Sequence, residues 1–117
     1  MNLRIVASAS GALLLAACAS APLMADRAPA IDRTYQLQHP PHYPLHAVRV
    51  GEQGTAVLVV RLDDRGQVTD ARFFKSTGYR DLDVAAKIAV ESWRYAPAIK
   101  NGEVVASVIR VPVNFHF

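Results

Sequence analysis

The chain has 117 residues, of which 51% are hydrophobic and 20% are charged, so it has room for one small globular domain plus an apolar segment. The formal net charge is only +3 and the basic residues are scattered, which argues against a nucleic-acid-binding protein. A single cysteine excludes an intramolecular disulfide, so the small core must be stable without a covalent cross-link.

Residues 1–17 are typical of a secretory signal peptide. Arg4 gives a short positive start, and the apolar run that follows is shorter than the roughly 20 residues a membrane-spanning helix needs. The run ends in Leu15-Ala16-Ala17-Cys18, which resembles the lipobox of bacterial lipoproteins. We therefore predict acylation of Cys18, cleavage before it, and anchoring of the mature chain to a membrane by its lipid.

The residues after Cys18 bear on where the anchor would lie and on whether there is one. Ala19 follows the cysteine in place of the aspartate that retains enteric lipoproteins at the inner membrane, which favours the outer membrane. The alternative is an ordinary signal peptide cut after Ala19-Ser20-Ala21, which would leave a soluble periplasmic protein.

Residues 18–41 are predicted to be a tether, because they are rich in small residues and proline and have no repeating period. His39, His42 and His46 cluster near its end. Prolines rule out a regular helix that would align these imidazoles, and no cysteine or carboxylate lies nearby. We expect solvated histidines there, with no metal and no cofactor.

The folded domain is predicted to span residues 42–117. Its first strand runs from Thr55 to Leu62, and a turn over residues 63–66 connects it to a second strand from Gln67 to about Lys75. Alternate residues of the first strand, Ala56, Leu58, Val60 and Leu62, form one apolar face.

The clearest helical period lies between Leu82 and Pro97. Leu82, three alanines and Trp93 recur on one face, so we expect Leu82, Trp93 and the nearby Tyr95 to belong to the core. Asp81 and Asp83 are predicted to lie in the first turn, where carboxylates favour the positive end of the helix dipole.

The last strand is predicted to run from Val104 to Phe117, with one largely apolar face directed at the helix. Pro112 lies within it and cannot donate a ladder hydrogen bond, which places this strand at a sheet edge. Together the elements predict an α+β fold: a three-stranded antiparallel sheet with helices packed on one face.

A series of motifs runs through the whole domain without a break in spacing. They are Tyr43-Pro44-x-x-Ala47, Gly54-Thr55, Asp64-x-Gly66-x-Val68, Ser76-x-Gly78, Leu82-Asp83-x-Ala85-Ala86, Trp93-Arg94-Tyr95-x-Pro97-Ala98, Gly102 and Val111-Pro112-Val113-x-Phe115. This series resembles the C-terminal domain of the TonB family of periplasmic energy transducers. The family fold, a three-stranded antiparallel sheet with two helices, agrees with the fold class read from the residues.

The resemblance implies a binding module that grips the TonB box of outer-membrane transporters by adding the box as a strand beside its own last strand. Carried over here, that edge comprises Val108, Ile109, Arg110, Val111, Val113, Asn114 and Phe115. Tyr43 and Pro44 match a motif near the start of the domain, for which we expect a supporting role. The resemblance does not extend to the membrane-spanning helix and long proline-rich spacer of a full energy transducer.

The residues also bear on two other classes of function. An enzyme is disfavoured, because the chain has no nucleophile elbow, no metal-spaced histidines or cysteines and no phosphate-binding loop. An envelope structural lipoprotein, binding peptidoglycan or another lipoprotein without any link to transport, stays open as the alternative. An exposed strand edge also permits a homodimer.

Overall fold

The structure, a computed structural model, describes residues 25–117. The expected signal peptide and Cys18 lie outside these residues. In chain order the elements are β1 (Ala30–Ile31), α1 (Arg33–Gln38), α2 (Leu45–Val50), β2 (Gly54–Leu62), β3 (Val68–Lys75), α3 (Arg80–Ser92), β4 (Tyr95–Ala96), β5 (Ala98–Lys100), β6 (Glu103–Val105) and β7 (Ser107–Phe115).

The central sheet has three antiparallel strands in the order β3-β2-β7. β2 pairs with β7 in an unbroken register from Gly54–Phe115 to Leu62–Ser107. β3 is less regular, since its pairing with β2 shifts twice. One shift leaves Phe74 between Phe73 and Lys75 without a partner, as in a β-bulge. The predicted α+β fold with a three-stranded antiparallel sheet is confirmed.

The core lies between this sheet and the helices. The alternate residues of β2 predicted to face inward are all buried, and they meet Val111, Val113 and Phe115 from β7. From the other side come Leu82 and the small residues of α3, with Ala47 of α2. The alanines of α3 lack bulk, so the helix can approach the sheet closely while Leu82 and Val90 fill the space between them.

α3 begins with a hydrogen-bonded turn rather than with a cap from its own first residue. The carboxylate of Asp83 accepts hydrogen bonds from the Thr77 backbone N–H at 2.8 Å and the Thr77 hydroxyl at 2.6 Å, and from the Ser76 hydroxyl. Partial burial alone would raise the pKa of Asp83, but these hydrogen bonds outweigh it and lower the pKa. This carboxylate therefore has a structural part in fixing the turn that leads into the helix.

The helix ends earlier than its sequence pattern indicates. We predicted a helical stretch up to Pro97, but α3 stops at Ser92, and Trp93 is an extended C-terminal cap. Beyond it the chain is extended, and Tyr95 and Ala96 form β4, which pairs with β1. Trp93 and Tyr95 are nevertheless buried, at 5% and 9% exposure.

The predicted long C-terminal strand is also divided. Residues 103–105 form β6, which folds back on β5 in a hairpin, and only residues 107–115 belong to the central sheet. Asn101 and Gly102 both have positive φ angles, 53° and 79°, as a tight two-residue hairpin turn requires. The turn ties β6 to β5 and leaves β7 to pair with β2.

The structure differs most from the sequence analysis over residues 26–38, which we placed in a tether. β1 pairs with β4, and Arg27 exchanges two backbone hydrogen bonds with Ile99, at 2.9 and 2.8 Å. α1 follows directly, capped by the Asp32 carboxylate, which accepts from the Tyr35 N–H at 3.0 Å. The packed unit therefore begins at about Asp26 and not at residue 42, because backbone N–H and C=O groups of this segment hydrogen-bond to partners far away in the chain.

Candidate protein-binding edge

The candidate site is the outer edge of β7. Among the described residues, β7 pairs with β2 along one side, and no strand pairs with its other side. An unpaired edge presents a row of backbone N–H and C=O groups to any extended chain of suitable chemistry. Such an edge has the chemistry needed to pair with an extended peptide.

Pro112 fixes which residues of β7 present those groups. The β2–β7 register continues through the Val57–Pro112 pair without a shift, so the proline nitrogen, which carries no hydrogen, faces away from β2. Backbone direction alternates along a strand, as side chains do. Val108, Arg110 and Asn114 therefore direct their N–H and C=O groups to the free edge, and Pro112 offers only its C=O.

The predicted edge residues thus divide into two sets. Val111, Val113 and Phe115 are buried in the core, with at most 3% exposure, so their side chains hold β7 in the sheet. Ile109 is half-buried and shares their face. Val108, Arg110 and Asn114 are exposed on the opposite face, and these three supply the unpaired backbone groups.

Two of the exposed side chains already have neighbours. The Arg110 guanidinium carbon lies 4.1 Å from the centroid of the Phe74 ring, so the cation stacks on an aromatic residue of β3 across β2. The Thr55 hydroxyl donates to the amide oxygen of Asn114 at 2.7 Å. Both contacts tie outer-face side chains to the sheet while leaving the backbone edge free.

Tyr43 supports the C-terminal end of β7. Its ring packs edge-on against Phe115, with centroids 5.4 Å apart, and stacks on Phe117 at 5.2 Å. Its hydroxyl donates to the carbonyl oxygen of Glu52. Desolvation, followed by the Glu52 charge, raises the pKa of the Tyr43 hydroxyl, so it stays protonated as a donor. Pro44 precedes the first residue of α2.

Sequence reasoning missed a second element beside this edge. α1 and the double proline that follows it line a groove of about 280 Å³ together with Trp93 and the C-terminal half of β7. The only sequence signal for α1 is Asp32, a good N-cap residue followed by a short run without proline. That signal is weak, because a six-residue helix depends on the surface it packs against.

The Trp93–Pro97 segment holds α1 in place. The indole N–H of Trp93 donates to the His39 carbonyl oxygen at 2.6 Å, and the Asp32 N–H donates to the Arg94 carbonyl oxygen at 2.7 Å. The Arg94 guanidinium lies 4.3 Å from the Tyr35 ring centroid. The Tyr95 hydroxyl donates instead to the Val90 carbonyl oxygen at 2.6 Å, which ties the segment to α3.

No three metal-ligating side chains come together within residues 25–117. His39 stacks on Tyr35 with ring centroids 3.9 Å apart and is part of the α1 segment. Over the same residues, no helix has the length and apolar character needed to cross a bilayer.

Residues 39–117 match the family model described as Gram-negative bacterial TonB protein C-terminal. The chain is 41% identical over 85 residues to Protein TonB of Xanthomonas campestris pv. campestris and 30% identical over 96 residues to Protein TonB of Vibrio cholerae. These alignments cover 73% and 82% of this chain, but each covers only 38% of the relative's length.

Among solved structures, the fold is similar to the solution NMR structure of the Pseudomonas aeruginosa TonB CTD. The TM-score is 0.56 at 26% sequence identity, and the match covers 67% of this chain and 79% of that one.

The family consists of protein-interaction domains of energy transducers and not of enzymes, which confirms the prediction that this chain is not an enzyme. The family match includes β2, β3, α3 and β7, so it covers both the central sheet and the free edge. The chain therefore belongs to the Gram-negative bacterial TonB protein C-terminal family.

Proposed function

We propose that this domain is a periplasmic protein-binding module that takes up the TonB box of an outer-membrane transporter as an additional strand beside β7. The observation that carries the proposal is the unpaired edge of β7 in a domain of the TonB C-terminal family. Strand addition is the recognition mode that such an edge supports, because backbone hydrogen bonds supply the affinity and alternate side chains supply the register.

The outward-facing residues favour this role. Val108 and Arg110 offer consecutive outward N–H and C=O groups before Pro112 interrupts the row of donors. Ile109 between them packs against the core, and the buried residues farther along β7 hold the strand in the sheet. Little ordering entropy is therefore lost on the domain's side when a peptide pairs with it. A disordered peptide must still be ordered, which predicts a modest affinity for a short segment.

The test is a proline at residue 110, compared with an alanine at the same position. Arg110→Pro removes an N–H that faces the free edge, whereas Arg110→Ala keeps it, and both lose the contact with Phe74. A proline at residue 109 would be a poor choice, because the Ile109 N–H faces β2. We expect Arg110→Pro to weaken binding of a TonB-box peptide at least about tenfold relative to Arg110→Ala.

The measurement is fluorescence anisotropy of labelled TonB-box peptides from the host's transporters, titrated with the full-length protein in mild detergent. Thermal unfolding of both variants checks that the domain is still folded. Equal affinity of the folded proline and alanine variants would contradict strand addition at β7. Failure of the wild-type protein to bind any box peptide would instead favour the envelope structural role. Light scattering of the same samples reports whether the free edge pairs two copies in a homodimer.

We further propose that Cys18 is acylated and anchors the chain to a membrane, with the outer membrane favoured. The support is the sequence Leu15-Ala16-Ala17-Cys18, in which the chain's single cysteine takes the acylated position of a lipobox. We expect Cys18→Ala to abolish incorporation of labelled palmitate and to move the protein from the membrane fraction to the soluble fraction. Unchanged fractionation and no labelling of the wild type would favour cleavage after Ala21 and a soluble periplasmic protein.

A further inference from the structure

A groove lies against the free edge of β7, where the edge passes α1. Its volume is about 280 Å³, and Gln36 and Leu37 of α1 are among the residues that line it. Pro112 and Asn114 of β7 and the core residue Trp93 also line it. The groove therefore continues the surface on which we propose that a partner strand is added.

Leu37 is the most exposed large apolar side chain of the described residues, at 78%. A single exposed leucine on a surface has no special meaning. This one, however, is carried by a helix that the Trp93–His39 and Asp32–Arg94 hydrogen bonds hold against the domain. An apolar side chain fixed beside an open strand edge is suited to contact whatever pairs with that edge.

Pro112 gives a reason for side-chain recognition at this point. An added strand receives hydrogen bonds from the Val108 and Arg110 N–H groups but none from Pro112, so backbone pairing weakens where the groove begins. Backbone pairing is also insensitive to sequence, whereas a groove lined by side chains distinguishes one residue from another. Partner selection is thus best placed beside Pro112.

The lining also indicates which chemistry fits. Leu37, Trp93 and the prolines make the lining largely apolar, and Arg33 is its charged side chain, with no carboxylate among the lining residues. The complementary occupant is an extended peptide that places an aliphatic side chain in the groove and an acidic residue near Arg33.

We propose that the α1–β7 groove selects the partner strand by binding one aliphatic side chain of the TonB-box segment. This inference rests on the proposed function, and it assigns specificity to residues that precede the family match, which begins at residue 39. α1 thereby allows chains that share the same domain to prefer different partners.

The test is a double-mutant cycle with the full-length protein in mild detergent and TonB-box peptides as the probe. Leu37→Ser removes one apolar side chain from the lining, and Leu45→Ser is the matched control, because Leu45 is also exposed, at 62%, but lies outside the groove. Each protein is titrated with a box peptide and with versions in which each aliphatic residue is replaced in turn by alanine.

We expect Leu37→Ser to weaken binding of the parent peptide about fivefold and Leu45→Ser to leave the affinity unchanged. For one alanine peptide, Leu37→Ser should have no further effect, which identifies the side chain that occupies the groove. If the wild type binds and all effects are additive, the groove proposal is overturned while strand addition stands. If the wild type binds no box peptide, the proposed function fails and this inference fails with it.

Discussion

Replacing Trp93 by alanine is expected to destabilise the domain by about 3–5 kcal/mol, a large part of the stability of a domain of this size. The indole is 5% exposed and is one of the largest side chains of the core. Its truncation leaves a cavity between α3 and the α1 segment and removes the donor to the His39 carbonyl oxygen. Urea unfolding followed by circular dichroism measures the loss.

A conservative variant separates packing from hydrogen bonding. Trp93→Phe keeps an aromatic ring but has no N–H, so we expect it to cost about 1–2 kcal/mol. Both variants should speed trypsin cleavage after Arg33, because α1 loses one of its attachments to the domain. A Trp93→Ala protein within 1 kcal/mol of wild type, with unchanged cleavage after Arg33, would show that the segment is held by other contacts.

Gly66→Ala is expected to cost about 3 kcal/mol or more. Gly66 is buried in the turn between β2 and β3, with a φ angle of +82° that residues other than glycine rarely adopt. A Cβ atom there would lie 2.5 Å from the Tyr95 carbonyl oxygen and 3.0 Å from the Pro97 side chain. The backbone of β4 would have to move, which disturbs its pairing with β1.

Gly51 provides the matched control for that substitution. Its φ angle is +77°, nearly the same, but an added Cβ would meet no atom within 4 Å. Gly51→Ala therefore carries only the backbone penalty, about 1 kcal/mol. The free energies of unfolding of the two variants, measured with heat and urea, should differ by roughly 2 kcal/mol or more. Equal losses of stability would rule out the contact with Tyr95 as the cause.

These contacts explain two of the sequence motifs. Asp64-x-Gly66 forms a turn against the backbone of Tyr95 and Pro97, and Trp93 and Arg94 bind the α1 segment. Neither motif lies on the free edge of β7. Both motifs stabilise the fold in which this edge is exposed. The edge itself consists of backbone groups that many sequences can provide.

The sequence by itself determined the central sheet and its edge. Side chains from Ala56 to Leu62 alternate between two faces with the period of a strand, and Pro112 cannot occupy a central strand. Both features follow from the local residues alone. Leu82 and the alanines of α3 likewise show the helical period that buries one face. The family resemblance, carried by the same residues, is confirmed by the family match.

Only the tertiary structure decided how the segments around that sheet are used. The end of α3 at Ser92, the separation of β6 from β7, and the ordering of residues 26–38 all depend on partners far away in the chain, such as Asp32 with Arg94 and Arg27 with Ile99. Two-residue strands and a six-residue helix are too short to have a period of their own. They form because the folded domain supplies their hydrogen-bond partners, and they place α1 beside the edge of β7.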